Sequence, residues 1–161
     1  AVGATGFAAG AAGHCEAAEG GGAHHGGKGG SPSGTAVRTA ELMLAARNEL
    51  GPFSAPHVDQ RARGQQVASV PVHSLRLPGV VAKQDVVFGG VGETLTISHT
   101  TLSSSSYEAG IRLALRRAAA ANGEVIVGLD AVLGIDVALG LPGAAAPEPL
   151  PTRTADPEAD A

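Results

Sequence analysis

HHGGKGGSPSGTA, residues 24–36, is the stretch on which the reading of this chain turns. It sets two adjacent histidines, His24 and His25, and a lysine, Lys28, ahead of a turn that runs into a helix-forming segment. Histidines titrate near neutral pH, so they pass protons or hold polar ligands. Lys28 adds a cation. The turn Ser31-Pro32-Ser33-Gly34-Thr35 ends where the helical pattern begins, so the first amides of that helix point outward without intrahelical partners. Free amides at the positive end of a helix dipole make an anion site. Two proton carriers, a cation and an amide cradle suit a small anionic ligand, a carboxylate or a phosphate. A solvated glycine-rich linker would carry the same residues, and spacing alone leaves both readings open.

Downstream, Ala36, Ala40, Met43, Leu44 and Leu50 form a stripe at three-and-four spacing, with Arg38, Glu41 and Asn48 outside it. The pattern predicts a helix over 35–50, stopped by Gly51-Pro52. Residues 53–66 read as a surface loop whose Arg61 and Arg63 are solvated charges. From 67 to 100 the period changes to two. His73, Leu75 and Leu77 alternate, as do Leu95, Ile97 and His99, and 84–88 is a third strand between glycine turns. Short turns favour antiparallel pairing of successive strands. His73 and His99 read as half-buried strand histidines. Ser105 and Glu108 have capping-box spacing before a helix over 106–121, whose buried stripe is Ile111, Ala114, Leu115, Ala118 and Ala119. VIVGLDAVLGI, residues 125–135, reads as a short strand and a turn of helix. After Leu139 the chain is rich in Pro, Ala and acid, and disorder is expected over 139–161.

Upstream, Gly3 and Gly6 have the spacing of a dinucleotide-binding turn, but only two residues precede them where a strand is required. His14, Cys15, Glu16 and Glu19 match no zinc spacing, so no metal site is expected and 11–23 reads as a flexible loop. The whole sequence has 161 residues, net charge −4, one Cys, 24 Gly and no Trp, so Val, Leu, Ile and Ala must fill one ordinary core. Eleven Lys and Arg form no cluster, which argues against a nucleic-acid partner, and no apolar run reaches membrane-spanning length. A single Cys15 cannot make an internal disulfide and fits a cytoplasmic location. The opening residues lack the basic segment of a signal peptide.

His24-His25, Lys28 and Pro32-Ser33-Gly34-Thr35-Ala36 together resemble the signature of the 4-hydroxy-tetrahydrodipicolinate reductase (dihydrodipicolinate reductase) family, in its actinobacterial form. The resemblance continues from Val70 to about Ile135, through VPVHSLRLPGVVAKQDVVFGGVGETLTISHT, YEAG and VGLDAVLGI. It implies an α+β fold, a substrate-binding domain with a mixed or antiparallel sheet covered by helices, together with a remnant of a Rossmann domain. The implied division is 1–22 Rossmann remnant, 23–138 substrate-binding and oligomerisation domain, and 139–161 tail. The implied reaction is NADPH- or NADH-dependent hydride transfer that forms tetrahydrodipicolinate in lysine and diaminopimelate biosynthesis. By position, His24 is the proton donor and Lys28 stabilises developing negative charge, while His25 with the amides of Gly34 and Thr35 holds a carboxylate of a small dicarboxylate substrate. Gly3-Ala4-Thr5 resembles a backbone segment beside the nicotinamide, and a homo-oligomer, a tetramer, is implied as the assembly. The chain departs from the family where Gly30 replaces an acid, Ser104 an Arg and Tyr107 a Phe. The phosphate-binding fingerprint has no counterpart in it, so impaired turnover is expected. The rival reading is a non-catalytic fragment that binds dicarboxylates or only oligomerises.

Overall fold

The computed structural model describes residues 2–123, 125–126 and 129–133. Helix α1 (Val2–Ala12) leads into strand β1 (Ala17–His24), then helix α2 (Gly34–Ala46). Strands β2 (Gln65–Val67), β3 (Val70–Arg76), β4 (Ala82–Gly90) and β5 (Glu93–Thr101) follow, then helices α3 (Glu108–Ala120) and α4 (Asp130–Leu133). The five strands form one sheet in the order β2-β3-β1-β4-β5. β1 is parallel to β3, and every other neighbouring pair is antiparallel. This is an α+β fold with a mixed sheet.

β1 corrects the expectation of a loop over 11–23. AAEGGGAH carries little β propensity and no apolar alternation, so no local signal marks it. It is a strand because it is paired along its length, to β3 on one side and β4 on the other. Consequently β3 and β4 are not neighbours as successive strands were expected to be. Residues 77–81 carry the chain across β1, and the Leu77 N–H bonds the His24 carbonyl at 3.0 Å.

The division at residue 22 is also corrected, because it cuts through the central strand. Ala8 and Ala12 of α1 and Ala18 of β1 share one core with Ala36, Ala40, Met43, Val72, Val86 and Phe88. Residues 2–22 thus pack into the same core as the rest of the sheet and α2. Buried Arg47 ties α1 to the end of α2. Its Nη1 donates to the carbonyls of Ala12 (2.9 Å) and Cys15 (2.6 Å), and its guanidinium lies 4.1 Å over the Phe53 ring.

α2 begins one residue before the predicted start and ends at Ala46, with a 3-10 turn over Asn48–Leu50. α3 forms where expected, but its apolar stripe is not covered among the described residues: Ile111 is 55% and Leu115 65% exposed. The cap is also displaced. Ser103 Oγ accepts from the Ser105 N–H in a 3-10 lead-in, and Glu108 instead pairs with Arg112. The face of the sheet opposite α2 carries Glu19, His73, Asp85 and Val87, as the strand register requires. Arg63, read as solvated, pairs there with Glu19 at 2.5 Å, and His73 Nε2 donates to the same carboxylate at 2.7 Å. The tail over 139–161 lies outside the described residues, as does part of 125–135. Among the described residues no helix is long and apolar enough to cross a membrane, and no cluster of three or more His, Cys, Asp or Glu is placed to hold a metal.

Candidate functional site

β1 ends at His24, and the chain leaves the sheet there. The Lys28 N–H closes a tight turn on the His25 carbonyl at 3.1 Å. The chain then reaches Ser33, a buried N-cap in extended conformation whose Oγ accepts from the Ala36 N–H at 3.2 Å. Its carbonyl accepts the first full helical bond, from Val37 at 3.0 Å. One of the orphan amides is therefore satisfied by the cap, and the N–H groups of Gly34 and Thr35 have no partner among the described residues.

Those amides border a cleft of about 510 Å³. His24, His25 and Lys28 line it from the loop, Ser33, Gly34 and Thr35 from the helix start, and Gln84, His99 and Thr101 from β4 and β5. Ser104 and Tyr107 close one side. All five residues read from the sequence as catalytic or substrate-binding thus share one cavity. A separate groove of about 310 Å³ beside α3 has a mostly alanine and aliphatic lining and carries none of this chemistry.

The electrostatics favour an anion. Burial lowers the His24 pKa from its ordinary 6.5, and the charges of Lys28, Arg76 and His25 lower it further. His24 Nδ1 is buried without a partner among the described residues. Burial also lowers the His99 pKa. Both rings are therefore neutral near pH 7, and each would gain proton affinity beside a bound dianion. Beneath the cleft, the Thr39 hydroxyl donates to the Thr35 carbonyl at 2.8 Å. Its single proton is used there, so it accepts from Gln84 Nε2 at 2.7 Å, and Gln84 Oε1 is left buried without a donor.

The sequence reading did not single out four residues of this neighbourhood, Arg76, Gln84, His99 and Thr101, as functional. His99 was visible as a histidine, and strand register alone places it beside Gln84. Gly3, Ala4 and Thr5, the segment expected beside a nicotinamide, lie apart from this cleft. They stand inside α1 and not in a strand-to-helix turn, and none of them lines the cleft. Thr5 Oγ1 instead bonds Thr39 Oγ1 at 2.9 Å.

Residues 4–133 match the family model described as Dihydrodipicolinate reductase, C-terminus. The 4-hydroxy-tetrahydrodipicolinate reductase of Clavibacter michiganensis subsp. michiganensis is 69% identical over 114 residues, which are 71% of this chain and 41% of that protein. The enzyme of the same name from Thermobifida fusca is 45% identical over 133 residues, 80% of this chain and 54% of that protein. Among solved structures, the dipicolinate-bound dihydrodipicolinate reductase from Paenisporosarcina sp. TG-14 superposes with a TM-score of 0.66 at 32% identity, covering 81% of this chain and 51% of that one. The chain therefore spans about half the length of the relatives it matches. Since the match runs from α1 through all five strands to α4 and includes the histidine pair, the lysine and the capped helix that meet in the cleft, the chain belongs to the dihydrodipicolinate reductase family, as its C-terminal region.

Proposed function

We propose that this chain is the dicarboxylate-binding, proton-donating part of a 4-hydroxy-tetrahydrodipicolinate reductase. The observation that carries the reading is the meeting of the unpartnered Gly34 and Thr35 amides with His25 and Lys28 around one cleft. Backbone donors fixed by a cap replace the hydration of a carboxylate with little reorganisation. Lys28 balances the second charge and stabilises negative charge that develops on the substrate. His24 supplies a proton to the reacting ring, and its lowered pKa makes it a ready donor once a dianion has raised its proton affinity. The dipicolinate carried by the Paenisporosarcina relative is a planar dicarboxylate of the class this cleft would take.

In the whole protein, NADPH or NADH would supply the hydride. The segment expected beside that cofactor does not fit it, because Gly3, Ala4 and Thr5 lie inside α1 and no strand precedes them among the described residues. The described residues account for substrate binding and protonation only. The open sheet face, with Leu75 58% exposed, is our proposed contact for a homo-oligomer. The cofactor mismatch, with Ser104 in place of the family's Arg, also favours a second reading, a fragment that binds dicarboxylates without turning them over.

The test is titration of the chain with pyridine-2,6-dicarboxylate, followed by amide NMR. Shifts centred on Gly34, Thr35 and Lys28, with proton uptake on binding near pH 7, are expected. Binding that leaves these amides unmoved would remove the site from consideration. NAD(P)H-dependent turnover by this chain alone separates the catalytic reading from the fragment.

A further inference from the structure

The loop that carries Lys28 has little to hold it. Four glycines surround the lysine, and a Cβ added at Gly26, Gly29 or Gly30 would meet nothing within 4 Å. Glycine backbone loses the most freedom on ordering, so such a loop does not set the position of an ammonium group by itself. One side chain from another element supplies what packing does not. Arg76, at the end of β3, is the register partner of His24 on β1. Its Nε donates to the Lys28 carbonyl at 3.1 Å, its Nη2 to the Gly30 carbonyl at 2.5 Å and its Nη1 to the Leu75 carbonyl at 2.8 Å. One planar guanidinium therefore ties two loop carbonyls to the strand, a task that needs several donors in fixed directions. Arg76 does not line the cleft.

We infer that Arg76 is the positioning residue of this site, setting the path of residues 26–30 and through it the place of the Lys28 ammonium. The inference rests on the dicarboxylate reading for its consequence in binding, but the ordering of the loop stands independently of any ligand. The Arg76 charge also belongs to the group that lowers the His24 pKa, with Lys28 and His25, while His99 and Lys83 line the same cleft. A variant that keeps charge but loses the fork separates the two effects.

Arg76→Met, Arg76→Lys, Lys28→Ala and the Arg76→Met/Lys28→Ala double variant make the test. Amide hydrogen exchange over 26–30 reads the loop without ligand, and both Arg76 variants are expected to speed it. Affinity for pyridine-2,6-dicarboxylate should fall about tenfold in both, since an ammonium cannot span these carbonyls. In the Lys28→Ala background, Arg76→Met should change affinity by less than about twofold, the sign of residues acting through one another. The His24 titration midpoint should rise in Arg76→Met and stay low in Arg76→Lys. Unchanged loop exchange, wild-type affinity in Arg76→Lys, or additive losses in the double variant would each overturn the inference. If wild type itself does not bind the dicarboxylate, the proposed function fails, and loop exchange alone then decides the role of Arg76. Should Arg76→Met not fold, Arg76→Lys carries both the exchange and the affinity measurement.

Discussion

Replacing Lys28 by Ala removes the cation beside the amides that begin α2, and the size of the effect follows from how open the site is. Lys28 is half-buried and the cleft is in contact with solvent, so the local response lies between that of water and that of a protein surface. For unit charges about 4 Å apart this range is roughly 1–4 kcal/mol. Screening at physiological salt pulls it toward the lower end. A loss of about 1.5 kcal/mol, near tenfold in Kd, is therefore expected. The amides of Gly34 and Thr35 remain in the variant, but a helix terminus contributes only about 0.3–1 kcal/mol at an exposed site and does not replace the lysine. A wild-type Kd of about 1 mM for pyridine-2,6-dicarboxylate, some −4 kcal/mol, would move to about 10 mM. His24→Ala should cost less than about threefold at pH 7.5, where the ring is neutral, because its role is toward the reacting ring and not the carboxylates. Isothermal calorimetry on the wild type and both variants, repeated at high salt, is the assay. The gap between wild type and Lys28→Ala should narrow as salt rises. Equal affinity in all three would mean that residues 24–36 form a glycine-rich linker and no anion site.

Stability should fall with acid in two stages. His24 and His99 bind protons more weakly folded than unfolded, so their contribution is complete above the ordinary value of 6.5 and declines as pH drops below it. Glu19 and Asp85 follow. Burial raises each carboxyl, but hydrogen bonds from Arg63 and His73, and from Lys83 and Ser98, outweigh it, so their stabilisation is lost as pH falls below about 4.5. Urea midpoints that rise on acidification would contradict this sign. Gly64→Ala should destabilise by about 1–3 kcal/mol in urea unfolding. Its φ is +73°, and a Cβ would sit 2.7 Å from the Val72 carbonyl oxygen. Gly21→Ala, by contrast, meets only ordinary contacts near 3.9 Å and should stay within about 0.5 kcal/mol of wild type. NADPH and NADH should bind this chain more weakly than about 1 mM, and micromolar calorimetric binding, about −8 kcal/mol, would show a nucleotide site among its residues.

What the sequence determined by itself is local. Ser33 caps α2 because a side-chain oxygen needs only to reach the amide three residues on, and that geometry is written within four positions. Gln84–Phe88 and Leu95–His99 are strands because a half-buried ribbon alternates every second residue. The order His24, His25, Lys28, Ser33 likewise brings two histidines and a lysine close to a helix start within ten positions, while leaving open whether they form an anion site or a linker. The tertiary structure decided the rest. Gly20-Gly21-Gly22 has no strand signal, yet it is the middle of the sheet, because β3 and β4 lie some fifty to seventy residues away and bond it from both sides. The α3 stripe was legible as apolar, but periodicity does not say whether anything covers it, and among the described residues Ile111 and Leu115 remain exposed. Arg76, Gln84 and His99 enter the neighbourhood of the site only because register brings strand residues opposite β1 and beside α2. A cap acts through bonds between near neighbours in the chain, whereas a sheet closes contacts between distant ones, and only the folded backbone fixes which distant residues meet.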